Sequence, residues 1–216
     1  MMQLITEPYL KQHLQWPSTG KHILAQYDSN TVVVYQAYKP EIGKFAAENG
    51  YFSPDVGFSM SRMTWIKPNF LWMMHRCGWA MKPSQEVVLA IWLDRVGFDA
   101  ILRKAVHSSY HPDIYGSESA WEQAVGRSSV RLQWDPDYNP ADGRLERRAI
   151  QIGLRGKSAL YFATGGWIVH IEDITDFVRG QRGKRNPPYS DLLLPRERVY
   201  PVSDSETAHR IGLTTA

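Results

Sequence analysis

Alternation between apolar and polar positions divides the chain into short segments, few of them long enough to be more than a strand or a few helical turns. His22–Tyr27 and Thr31–Tyr38 are β-favouring runs separated by Asp28-Ser29-Asn30, which predicts a hairpin. Pro40 opens a helix whose Ile42, Phe45 and Ala46 repeat at helical spacing, with Asn49-Gly50 as its stop. Arg62 to Pro68 follows neither period and reads as a loop entering a short strand. Asn69 to Cys77 reads as a brief buried helix ended near Gly78.

Val87–Leu93 is an unbroken apolar strand. Asp94 is placed to cap a helix with Phe98, Ile101, Leu102, Ala105 and Val106 as its apolar stripe. His107–Ser119 is turn-rich, and Trp121–Ala124 is helical in composition. From Ser129 to Trp134 the chain alternates, Val130, Leu132 and Trp134 against Arg131 and Gln133, before turn chemistry at Asp135–Gly143. Ala149–Leu154 alternates around Gln151, Lys157–Ala163 is helical up to Gly165-Gly166, and Trp167–Ile171 is a strand. Asp173 is placed to cap a last helix through Val178. After Gly180 the composition turns to Gly, Arg, Lys and Pro, which predicts an extended tail.

These elements predict an α+β class: one domain with short, mostly antiparallel strands in one or two small sheets flanked by short helices. The expected division is an N-terminal segment over 1–20, one core domain over 21–180 and a Pro/Arg-rich extended tail over 181–216. A chain of 216 residues with 43% hydrophobic content can bury one substantial core.

Composition narrows the chemistry. A single cysteine, Cys77, excludes an internal disulfide framework, and no secretory leader opens the sequence, so a cytoplasmic location is expected. No run approaches the length of a membrane span. Metal-ligand spacing, phosphate-loop glycines and a nucleophile elbow are all missing, so no metal is expected, and Cys77 reads as core filler. The net charge is +3, and Arg144–Arg185 holds nine basic residues against four acidic ones, a bias that suits an anionic partner. Eight Trp and eleven Tyr exceed ordinary packing needs, which points to rings lining a concave site or a stacking surface.

The remaining candidates are polar side chains displayed on strands. Tyr35, Gln36 and Tyr38 interrupt an apolar strand, and Gln36 there either satisfies a neighbour's hydrogen bond or faces a ligand. Arg62, Thr64, Trp65 and Lys67 put a guanidinium, a hydroxyl, an indole and an ammonium within six residues, a set suited to gripping phosphate while stacking a base. Glu172 and Asp173 end a strand; Asp173 reads as the helix cap and Glu172 as the chemical candidate.

Taken together, Ala25-Gln-Tyr-Asp28, Val34-Tyr-Gln-Ala-Tyr38, Arg62-Met-Thr-Trp-Ile-Lys-Pro68, Phe70-Leu-Trp-Met73, Val130-Arg-Leu-Gln-Trp-Asp-Pro136, Ile150-Gln-Ile-Gly-Leu-Arg155 and Trp167-Ile-Val-His-Ile-Glu-Asp-Ile174 resemble the domain-of-unknown-function family numbered 4291, over roughly residues 20 to 180. The family name implies no activity. More distantly, the order of elements is similar to the layout of ADP-ribosyltransferases. That layout implies NAD as co-substrate in a cleft between two small sheets, Gln36 at an early strand position where those enzymes carry His or Arg, Ser61 or Thr64 in the middle, and Glu172 as the late carboxylate. Tyr35, Tyr38, Trp65, Arg62 and Lys67 would then hold the nucleotide. Two other classes fit the composition: a non-catalytic nucleic-acid or nucleotide-binding module using basic and aromatic residues, and a domain that docks another protein through an aromatic patch. The sequence sets no oligomeric state.

Overall fold

Each segment's hydrophobic pattern decides which face it buries, and the strands show this most directly. The computed structural model describes residues 2–214. In chain order, β1 (Thr6–Pro8) and α1 (Tyr9–His13) precede β2 (Leu24–Ala25) and β3 (Thr31–Tyr38). Then come α2 (Pro40–Asn49), a 3₁₀ turn at Pro54–Val56, β4 (Thr64–Ile66), α3 (Phe70–Cys77), β5 (Val87–Asp94), α4 (Arg95–Lys104) and β6 (Ala105–His107). The second half holds α5 (Pro112–Tyr115), α6 (Glu118–Arg127), β7 (Val130–Tyr138), β8 (Arg144–Leu154), α7 (Gly156–Ala163), β9 (Ile168–Asp173), α8 (Thr175–Arg182), β10 (Leu193–Pro195), β11 (Arg198–Val199) and α9 (Ser205–Arg210).

Two sheets organise these elements: β3-β5-β9, antiparallel throughout, and β4-β8-β7-β6, antiparallel except where β6 runs parallel to β7. The protein is a single α+β domain. No helix among the described residues is long and apolar enough to cross a membrane.

β5 has no polar alternation because both its faces are covered. Val87, Leu89, Ile91 and Leu93 pack between the sheets with Val32, Val34, Phe98 and Ile152, while Val88, Ala90 and Trp92 face a second cluster with Phe70, Met73, Met74 and Leu194. The core is therefore two-lobed, with β3-β5-β9 as the partition. Helix ends follow local chemistry: Asn69 Oδ1 accepts from Trp72 N at 2.6 Å, Asp94 Oδ2 from Gly97 N at 2.8 Å, and Gly50 and Gly78 close α2 and α3 at positive φ. Asp173 Oδ1 accepts from Thr175 N at 2.9 Å at the start of α8.

Four expectations are corrected. Ala105 and Val106 do not extend the stripe of α4; they form β6, and Arg210 Nη1 satisfies the Ala105 carbonyl at 2.6 Å. The expected hairpin keeps only the Tyr27–Val32 bridge, because β2 pairs with β11 from the far end of the chain. The turn expected at Asp135–Gly143 is confined to its end: β7 continues to Tyr138 past an irregular register, and Asn139 Oδ1 closes the turn on the Ala141 and Gly143 amides at 3.0 and 2.8 Å.

The largest correction concerns the termini. Residues 181–214 are not an extended appendage: β10 pairs with β1, Leu192, Leu194, Tyr200 and Ile211 are buried, and Glu197 is 1% exposed. Prolines block long elements there but not short strands, and apolar residues spaced among them supply the burial. The N-terminal segment is held by the same contacts, with Trp16 Nε1 donating to the Glu197 carbonyl at 3.0 Å.

Candidate functional site

The two sheets meet at one corner. Tyr35 and Lys67 form an isolated antiparallel bridge, with Tyr35 N donating to the Lys67 carbonyl at 2.7 Å. Beyond it β3 and β4 part, β4 leaving to pair with β8. Parting strands leave backbone groups without a ladder, and these need other partners. Gln36 supplies one: its Nε2 donates to Thr64 Oγ1 at 2.7 Å and to the Trp65 carbonyl at 3.0 Å. Lys67 Nζ donates to the same carbonyl at 3.2 Å.

The gap beside this corner is a cleft of about 560 Å³. Gln36, Tyr38, Thr64, Lys67, Gln133 and Gln151 are among its walls, with Arg62 and Arg76 exposed at the rim. Gln36 is 3% exposed, yet its Oε1 has no hydrogen-bond partner. Flipping the amide would not help, since Oε1 would then face the Trp65 carbonyl. Gln36 thus satisfies the neighbouring strand through Nε2, as one sequence reading expected, and lines the cleft with its Oε1 unpartnered.

Lys67 is 6% exposed and has no carboxylate within ion-pair distance among the described residues. Burial, together with the positive charge of Arg76, brings its ammonium pKa down to about 8. Tyr38 OH lies 3.2 Å from Thr64 Oγ1, and burial raises that phenol's pKa. Behind the far wall, Gln133 and Gln151 face each other across β7 and β8 and donate to the two oxygens of Asp135 at 2.8 and 2.7 Å. Burial raises the Asp135 pKa against the lowering effect of those bonds and of Lys67. Gly153 keeps this wall open: a Cβ there would stand 2.4 Å from Met63 Sδ and 3.1 Å from Trp65 Cε2.

The structure gathers Gln36, Tyr38, Arg62, Thr64, Trp65 and Lys67 as one lining and leaves three sequence candidates outside it. Tyr35 points into the other lobe, 0% exposed, with its ring edge-on to Phe70. Ser61 is exposed, its hydroxyl 3.3 Å from Ser59 Oγ. Glu172 pairs with Ala90, which pairs with Tyr35, so all three share a face that Gln36 does not. Two strand spacings, roughly 10 Å, also separate β9 from β3. Burial raises the Glu172 pKa, and nearby His170 opposes the shift. Glu172 and Gln36 are thus not one constellation.

Sequence reasoning did not single out Arg76, Gln133 and Gln151. The signal for the two glutamines was present: each holds the polar position of an alternating strand, and antiparallel register sets them opposite one another.

The basic bias of Arg144–Arg185 is not one surface either. Arg147 is 2% exposed, bonded through Nη2 and Nε to Asp137 Oδ2 at 2.6 and 2.8 Å and lying over the Trp16 ring. A different basic cavity is larger than the cleft, about 690 Å³, and is lined by Lys104, Arg127 and Lys157 together with Tyr161 and Trp167. Cys77 is fully buried, and burial raises its thiol pKa, as suits core filling.

A family model described as "Domain of unknown function (DUF4291)" matches residues 22–200, a span that includes both sheets and every side chain named in the cleft. No curated protein matches the chain.

Proposed function

We propose that this chain, which belongs to the family of domain of unknown function DUF4291, binds an anionic, nucleotide-type small molecule in the cleft between its two sheets. The observation that carries this reading is Lys67: a nearly enclosed ammonium without a carboxylate partner, beside the unpartnered Gln36 Oε1. A buried cation is costly unless a counter-charge arrives, so an anion is the complement this corner lacks. Arg62 and Arg76 add rim charge suited to a phosphate or pyrophosphate, and the half-buried Trp65 offers a face for stacking.

NAD is the specific ligand suggested by the ADP-ribosyltransferase-like layout. The donor set fits its parts: three cations for the pyrophosphate and a free carbonyl, Gln36 Oε1, for a carboxamide N–H. The transfer step does not fit in the form that layout implies, because Glu172 lies on the opposite face from the cleft. The carboxylate that acts electrostatically on Lys67 is Asp135, held by Gln133 and Gln151, and it is the residue to substitute in any search for turnover.

The test is thermal stabilisation by NAD, ADP-ribose and ADP at two salt concentrations, since a ligand that binds only the folded state raises the melting temperature. A saturable shift lost in Lys67→Met and Gln36→Ala supports the reading. No shift with any of the three in the folded wild-type protein refutes it.

A second reading, nucleic-acid binding, is favoured by the Lys104, Arg127, Lys157, Tyr161 and Trp167 cavity, which combines basic groups with a ring pair at 4.8 Å. It requires a shift with short RNA or DNA that fades at high salt, falls in Lys157→Glu and is untouched by Lys67→Met.

A further inference from the structure

His107 ends β6 and is 1% exposed. Its backbone N–H donates to the Tyr115 hydroxyl at 2.9 Å, and its Nδ1 lies 3.1 Å from the same oxygen. That oxygen accepts the amide proton, so the single phenolic proton is free to go to Nδ1. Burial first, then the charges of His111, Lys21 and Arg210, bring the imidazole pKa down to about 4, so the ring is neutral at pH 7. A neutral ring whose Nδ1 accepts carries its proton on Nε2. Nε2 is buried and has no hydrogen-bond partner. The nearby Ile211 carbonyl, which takes the Trp134 indole N–H at 2.7 Å, opposes the lowering of the His107 pKa but lies outside hydrogen-bond geometry from Nε2.

His107 lines a cavity of about 400 Å³, with Lys21, Ser108, Ser109, His111 and Arg148 around it. Lys21 and Arg148 are set side by side by a parallel bridge, and the Arg148 amide donates to the Gly20 carbonyl at 2.8 Å. Neither cation has a carboxylate within ion-pair distance among the described residues. His111 packs on His107 with ring centroids 4.4 Å apart. The carboxylates acting on this group from a distance are Asp113, on His111, and Asp135, on Arg148. Two unpaired cations, two imidazoles and a buried N–H that no acceptor meets in hydrogen-bond geometry form a site suited to negative charge.

We propose that this cavity is an oxyanion site for a phosphoryl group, with His107 Nε2–H donating at its floor and Lys21, His111 and Arg148 closing on it from the rim. The site stands on different residues from the Lys67 cleft; only Gln133 lines both. A bound dianion favours protonated imidazole, so occupancy raises the pKa of His107 and His111.

The experiment is a titration of the full chain, labelled with ¹⁵N-histidine, by inorganic phosphate at constant ionic strength set with chloride. The expected result is a saturable shift of the His107 Nε2 resonance, with affinity reduced roughly tenfold in Lys21→Met and in Arg148→Met. Both side chains reach the rim rather than the core, so these variants test the site without emptying it, and Lys67→Met is expected to leave the response intact. Three results overturn the proposal: no His107 response in folded wild-type protein, a response that rises without saturating, or a response lost in Lys67→Met but kept in the Lys21→Met, Arg148→Met double variant. The last would place the anion in the other cleft.

Discussion

Gln36 Nε2 stands 2.7 Å from Thr64 Oγ1 and thereby ties β3 to β4 where their backbones no longer pair. The contact is buried, and each group has a second, longer bond, Gln36 Nε2 to the Trp65 carbonyl at 3.0 Å and Thr64 Oγ1 to Tyr38 OH at 3.2 Å, so removing either group costs the other its shorter bond. Gln36→Leu and Thr64→Val are each expected to lower stability by about 1–2 kcal/mol. The double variant should cost less than the sum by about 1 kcal/mol, because the bond the two share is lost once rather than twice. Denaturant unfolding of the four proteins measures the cycle; strictly additive losses would show that the two side chains do not depend on one another.

Lys67 makes a second prediction, on proton affinity. Its ammonium is held near pKa 8 in the folded chain, against 10.5 for an unburied lysine. Between those values the unfolded chain binds the proton more tightly than the folded one, so wild-type stability rises with pH across that window. Below about pH 8 the buried charge is a standing cost. Lys67→Met should lack the slope and be the more stable protein at neutral pH, because it removes the cost of the buried charge. Reductive methylation with ¹³C-formaldehyde gives the direct reading: a dimethyl-lysine resonance titrating near 8, against an ordinary midpoint above 10, confirms the depression.

Most of the scaffold was legible because its signals are local. The cap at Asp94, the Pro40 start and Gly50 stop of α2, and the apolar run of β5 are each decided within a few residues. What escaped was decided at long range. Ala105 and Val106 continue a helical stripe perfectly well, and only the arrival of β7 and Arg210 makes them a strand. β2 had a plausible neighbour in β3, but β11 lies nearly the whole chain away. For the cleft, one-dimensional reading found the block from Arg62 to Lys67 and the strand residue Gln36. It could not know that register would put Glu172 on Tyr35's face, or bring Gln133 and Gln151 opposite each other.

Arg147 and Asp137 define a third expectation. The pair is buried, with Arg147 Nη1 also donating to the Pro17 carbonyl at 2.6 Å, so the guanidinium pins the N-terminal segment as well as the carboxylate. Arg147→Met leaves Asp137 enclosed without its counter-charge, and the loss should be about 3–5 kcal/mol. Adding Asp137→Leu to Arg147→Met should recover part of that loss, since the stranded charge goes with it. If the double variant is no more stable than Arg147→Met alone, the pair matters for its hydrogen bonds to the terminal segment rather than for charge balance.

Glu197 supplies the last test, and its sign is opposite to that of an exposed, salt-bridged carboxylate. It is 1% exposed at the start of α3, where Oε1 accepts the Phe70 amide at 2.6 Å. Burial is the largest influence and pushes its pKa well above the ordinary value; the Phe70 bond and Arg147 oppose the shift, and Asp137 adds to it. The folded chain therefore holds a proton that the unfolded chain has already released. Its stabilising contribution is complete below the unfolded pKa, near 4.5, and is lost as pH rises through the higher folded value. Glu197→Gln keeps an acceptor for Phe70 N–H and removes the titration. The variant should match wild type near pH 4.5 and be at least as stable at pH 8, whereas Glu197→Ala should be weaker at both because the amide of Phe70 loses its partner. Chemical denaturation at the two pH values decides it. A Glu197→Gln protein clearly less stable than wild type at pH 8 would mean that the helix start and Asn69 hold the carboxylate ionised, overriding the cost of burial.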